Sequence, residues 1–157
     1  MIIKDIQYED FINYKLPSMF IIFPYCTFKC DKDNGYQYCH NMPLIYEPDI
    51  DIPCNEIVNS YINNPITSAV VCGGLEPMDS FDDVLALLSE LRKYSDDDFV
   101  IYTGYNREEI LDKITILSQY KNVIIKFGRY RNGNTPHLDE VLGVHLASDN
   151  QYAERIS

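Results

Sequence analysis

The sequence predicts an α/β domain built on a mostly parallel sheet. Three observations carry that reading. Short apolar runs recur along the chain, segments with helical apolar spacing lie between them, and most runs end in glycine or a polar cluster. Strand and helix alternate at roughly thirty-residue spacing, as parallel strands joined by crossover helices do.

The elements follow in order. MFIIF (19–23) reads as a buried strand. Pro24 and a cysteine-bearing loop come next and run to about residue 54; Gly35, Pro43, Pro48 and Pro53 are expected to keep it irregular. Asn55 reads as the cap of a helix whose Ile57, Val58, Tyr61 and Ile62 share a face. TSAVVC (67–72) is a second strand, ended by Gly73 and Gly74. Ser80 with Asp83 resembles a capping box before a helix carrying Phe81, Val84, Leu85, Leu88 and Leu91. DFVIYT (98–103) is a third strand, broken by Gly104, and Asn106 with Glu109 opens a helix bearing Ile110, Ile114 and Leu117. NVIIKF (122–127) is a fourth strand, stopped by Gly128, and GVHLA (143–147) a short fifth. The carboxyl ends of parallel strands open on one face, where sites are built. The cysteine loop, GGLEP (73–77), TGY (103–105), FGRY (127–130) and SDNQ (148–151) are therefore expected to converge.

The 157 residues suit one domain, 1–157, and 46% apolar composition is enough for a core. The net charge of -11 repels phosphate backbones, and no Lys/Arg cluster exceeds two adjacent residues, so a small molecule or a protein is expected as partner and no nucleic acid. No apolar run approaches the ~18–20 residues that span a bilayer. MIIKDIQYEDF lacks the basic region and apolar stretch of a signal peptide. The expectation is a soluble, cytoplasmic protein without membrane contact.

CTFKCDKDNGYQYCHN (26–41) places Cys26, Cys30 and Cys39 within fourteen residues. Five cysteines in a chain without a secretion signal argue for metal or redox chemistry over a disulfide framework. The spacing C-x3-C-x8-C leaves three readings open. Zinc needs a fourth ligand, which Cys54 or His40 supplies in that reading. A [4Fe–4S] cluster held by three thiolates keeps one iron open to a ligand. The third reading is ordinary loop cysteines. Cys72 ends an apolar strand and reads as a small hydrophobe; Cys54 reads as a spare thiol.

The motif of Cys26, Cys30 and an aromatic Tyr38 before Cys39 resembles the cluster motif of radical S-adenosylmethionine (SAM) enzymes, usually C-x3-C-x2-C, with six extra residues before the third cysteine. Gly73-Gly74-Leu75-Glu76-Pro77 resembles the GGxxP stretch that lies beside the methionine moiety of SAM. Cys39-His40-Asn41, Thr103-Gly104-Tyr105 and Ser148-Asp149-Asn150-Gln151 narrow the resemblance to the activating enzymes of anaerobic (class III) ribonucleotide reductase, over residues 10 to 155 or so. The sequence departs from that pattern in the long DKDNGYQY insert, at Lys126, where relatives often carry an acidic residue, and at Ala147 and Tyr152.

The resemblance implies a single radical SAM domain with its cluster loop at 24–54. It also implies an incomplete, TIM-like barrel of five or six strands, since a closed one takes ~250 residues. Cys26, Cys30 and Cys39 would be the metal ligands. Tyr38, Cys39, His40, Gly73, Gly74, Glu76, Pro77, Thr103, Ser148 and Asn150 would meet the cofactors, with Tyr105 and Gln151 beside them; Arg129 and Tyr130 would face SAM or the partner. His137 and His145 are structural. The implied cofactors are a [4Fe–4S] cluster and SAM, and no catalytic residue is expected beyond the cluster ligands. The implied reaction is reductive cleavage of SAM to a 5′-deoxyadenosyl radical, which generates a glycyl radical on anaerobic ribonucleoside-triphosphate reductase. The electron comes from an external flavodoxin- or ferredoxin-type donor. Two alternatives stand beside it: another small radical SAM enzyme with a small-molecule substrate, and a non-catalytic, zinc-stabilised binding module.

Overall fold

A computed structural model describes residues 1–35 and 39–157. Ten strands occur among the described residues: β1 (Ile2–Ile3), β2 (Asp5–Asp10), β3 (Ser18–Phe23), β4 (Ile50–Asp51), β5 (Ala69–Gly74), β6 (Asp98–Tyr102), β7 (Val123–Phe127), β8 (His137–Asp139), β9 (Val144–Leu146) and β10 (Tyr152–Arg155). The α-helices are α1 (Lys29–Asn34), α2 (Cys54–Ile62), α3 (Phe81–Leu91) and α4 (Leu111–Leu117).

Six strands form one mixed sheet in the order β2-β3-β5-β6-β7-β10. The four central strands are parallel, while β2 and β10 pair antiparallel on β3 and β7. β8 and β9 form a separate antiparallel hairpin. The predicted fifth strand thus exists as β9 but lies off the sheet, and β10, from the following segment, takes the place beside β7.

Side chains alternate between the two faces of the sheet. On one face Met19, Ile21, Phe23, Cys72, Phe99, Ile101, Ile125 and Phe127 pack with the helices through Ile57, Tyr61, Val84, Leu88, Ile114 and Leu117. On the other, Val71, Val100 and Ile124 pack under Tyr14, Leu142 and Leu146, contributed by the β2–β3 loop and the β8–β9 region. Burial on both faces is why these strands read as unbroken apolar runs. The second cover is partial. Further along the same face, toward the strands' carboxyl ends, Phe20, Ile22, Gly73, Tyr102 and Lys126 line a cavity instead.

Three local expectations are corrected. α2 begins at Cys54 with Pro53 before it, so Asn55 lies inside the helix, where Pro53 supplies the restricted entry. Ser80 makes no side-chain cap on α3, because a 3-10 turn, Pro77–Ser80, feeds straight into it. The cysteine loop holds α1, a 3-10 turn at Met42–Tyr46 and β4, so its prolines open elements as well as interrupt them. The Asn106–Glu109 capping box is present.

Candidate functional site

The cysteine loop leaves β3 and is tied to the ends of β5 and β6 by several hydrogen bonds. The Glu76 N–H donates to the Tyr25 carbonyl (2.8 Å). One oxygen of Asp79 accepts from the Thr27 N–H (2.8 Å) and the other from the Tyr105 hydroxyl (2.5 Å). Buried Asp31 accepts from the Cys39 N–H (2.9 Å), and the Asn41 amide donates to the Gly74 carbonyl (2.7 Å). The loop is therefore tied down on either side of the insert, through Tyr25 and Thr27 before it and Asn41 after it.

This places Cys26, Cys30 and Cys39, all half-buried, on the wall of one cavity of about 640 Å³. Cys26 Sγ accepts from the Phe28 N–H (3.2 Å). A side chain at Gly104 would sit 3.1 Å from Cys30 Sγ, so glycine there lets the β6 turn close on the loop. Burial is the main influence on all three thiols and raises their pKa values, that of Cys26 to about 12, with Glu76 and Asp79 adding to it. They ionise when a cation takes them as ligands. Among the described residues no three His, Cys, Asp or Glu side chains gather as a site for a metal ion.

The Gly73-Gly74 turn lines the same cavity. Gly74 has φ +84°, and a Cβ there would lie 2.5 Å from Ile22 Cγ2, so geometry and space both require glycine. The space beside Gly73 is filled by the Phe20 ring. Glu76 follows, 7% exposed, accepting from the N–H groups of Met78 (3.0 Å) and Gly104 (2.8 Å). Burial outweighs those bonds and raises its pKa to about 7. Lys126, 6% exposed, projects from β7 into the same cavity. Its Nζ donates to the Gly128 carbonyl (2.9 Å), and burial brings its pKa down to about 8 against the pull of Glu76 and Cys30.

His40, Thr103 and Gln151 also line the cavity. Pro77, Ser148 and Asn150 do not. Pro77 starts the buried 3-10 turn. The Ser148 hydroxyl accepts from the Arg131 N–H (3.3 Å), and Asn150 donates to the Arg129 carbonyl (2.8 Å), so both fasten the β7–β8 loop. Tyr38 lies outside the described residues. Tyr130 lines the cavity, with His40 edge-on to its ring. Arg129 is held by Glu109 (2.7 Å) and Asp33 (3.0 Å). Cys72 is fully buried in β5, and Cys54 packs against the helix-side core; neither lines the cavity. Sequence reasoning missed Asn13, Asp31 and Tyr102 as lining residues and treated Lys126 only as a departure. A lysine inside the apolar run VIIKF was the available signal.

Comparison with protein families, curated proteins and solved structures returns no match. No helix among the described residues is long and apolar enough to cross a membrane.

Proposed function

We propose that this protein is a radical SAM activating enzyme that generates a glycyl radical on anaerobic ribonucleoside-triphosphate reductase. It would work in the cytoplasm with electrons from a flavodoxin- or ferredoxin-type donor. The observation that carries the reading is that three loop thiols and a Gly-Gly turn open into one cavity on the carboxyl edge of four parallel strands. The cavity's size suits a ligand of nucleoside dimensions. The cavity side of the sheet is the inner wall in the incomplete-barrel reading, with the β2 and β10 edges left unclosed.

Cys26, Cys30 and Cys39 would hold the cluster. The other two thiols stand elsewhere, so three is the number the cavity offers. When bound, the cluster and SAM supply one-electron cleavage of a sulfonium C–S bond. The chain's own residues position and shield: Asp31 and Asn41 fix the loop at the third thiol, Glu76 locks the β5 and β6 turns together, and Phe20, Ile22 and Tyr102 give the cavity an apolar floor.

The test is to incubate reduced, reconstituted protein with SAM and the candidate reductase and record the EPR spectrum. A glycyl radical signal on the reductase is expected. SAM cleavage without that signal overturns the partner and leaves a radical SAM enzyme with a different substrate. A colourless, zinc-loaded protein overturns the enzyme reading.

A further inference from the structure

We propose that Arg129 is a positioning residue that holds the Cys30 sulfur against a backbone donor of the β7–β8 loop and so tunes the metal cluster. The assignment rests on the cluster-binding reading above and goes beyond it. Each cavity thiol accepts from a backbone N–H. Cys26 takes that of Phe28, and Cys39 those of Asn41 and Met42, two or three residues further along the same loop. The Cys30 sulfur instead takes the N–H of Tyr130, from a different part of the fold. Local chain geometry fixes the donors of Cys26 and Cys39. The Cys30 bond lasts only while α1 and the β7–β8 loop keep their spacing.

Arg129 sets that spacing. Its guanidinium forks onto both Glu109 oxygens (2.8 and 2.7 Å), and its Nε pairs with Asp33 (3.0 Å). Glu109 belongs to the 3-10 turn Arg107–Ile110 before α4. Asp33 lies in α1, three residues after Cys30 and on the same helix face. The Arg129 side chain is 12% exposed, and a forked, shielded geometry is the one in which ion pairs hold. Its stem packs beside the thiol: a Cβ at Gly104 would lie 3.1 Å from Cys30 Sγ and 3.8 Å from Arg129 Cγ. The Tyr105 ring is a second shared contact, with Lys29 Nζ of α1 at 4.3 Å and Arg129 Cζ at 6.0 Å from its centroid. Hydrogen bonds to the sulfurs and nearby charge set the reduction potential of an iron–sulfur cluster. A tie between two loops is thereby read out at the metal.

The experiment compares wild type with two variants that cut the same tie but change charge in opposite directions, Arg129→Gln and Asp33→Ala. Hydrogen exchange across residues 29–33 reads the tie. Anaerobic redox titration of the reconstituted protein, without SAM, reads the cluster. Both variants are expected to speed exchange in 29–33 by about tenfold while α3 keeps its protection. Both are expected to make one-electron reduction about tenfold less favourable, a fall of about 59 mV. Charge alone would lower the potential in Arg129→Gln and raise it in Asp33→Ala. Opposite shifts, or potentials unchanged in both, overturn the assignment and leave the cluster reading intact. Wild-type protein that takes up no iron and sulfide overturns both.

Discussion

Asp98 opens β6 and joins three parts of the chain. It accepts from the Tyr14 hydroxyl (2.6 Å) and from the Arg155 guanidinium (2.7 Å). Burial pushes its pKa up, but these two donors outweigh it, and the net value lies below the usual 3.8. A lowered carboxylate stabilises the fold above its unfolded pKa and loses that contribution as pH falls through the folded one. Asp98→Asn is therefore expected to cost about 1–3 kcal/mol at pH 7. In urea unfolding the gap from wild type should narrow as pH drops below 3.8; a gap that stays constant contradicts the ion-pair account. Gly74→Ala tests the turn. It forces a side chain into φ +84° and onto Ile22, and should destabilise by about 1–3 kcal/mol, read from the same unfolding curves. The thiols, this glycine pair and Glu76 were legible because their residue types are unusual at strand ends. Lys126 was harder to read, since one lysine among apolar neighbours does not announce which face it takes or whether the space beside it is filled.

The cysteine loop is a built element, held at its far end by Lys4. The Lys4 ammonium donates to the carbonyls of Glu47 (2.7 Å) and Ile45 (3.3 Å) and pairs with Asp49 (2.7 Å), and its side chain is 6% exposed. Lys4→Met is expected to speed hydrogen exchange across residues 42–51 by about tenfold or more, while α3 keeps its protection. Equal loss in both would mean that Lys4 supports the whole fold and does not specifically pin the loop. Legibility at this scale follows burial. β3, β5, β6 and β7 are buried on both sides and declare themselves as apolar runs. β2 (DIQYED) and β10 (YAER) are edge strands with mostly polar, solvent-facing residues, so no local pattern marked them. GVHLA carries the right residues for a strand, but its partner is β8, and pairing is a long-range property that a single strand's composition does not encode.

At the scale of the whole molecule, the sheet supplies a rigid floor and the loop supplies the chemistry. The helices bury one side, the β2–β3 loop and the β8–β9 hairpin cover half of the other, and the uncovered half becomes the cavity. The helix-side core is load-sharing: Leu88→Ala, at a fully buried α3 position, should cost about 2–5 kcal/mol by chemical denaturation. The convergence of most strand-end motifs was legible from topology, although of SDNQ only Gln151 reaches the cavity, from the segment after the β8–β9 hairpin and not from the end of a central strand. The central claim is that Cys26, Cys30 and Cys39 act together while Cys54 and Cys72 do not. It is tested most directly by iron and sulfide analysis, after anaerobic reconstitution, of wild type and the five single Cys→Ser variants. The account predicts about four irons and four sulfides per chain in wild type, Cys54→Ser and Cys72→Ser, and their loss in the other three. Retention of the full cluster by Cys39→Ser, or its loss in Cys54→Ser, would contradict it.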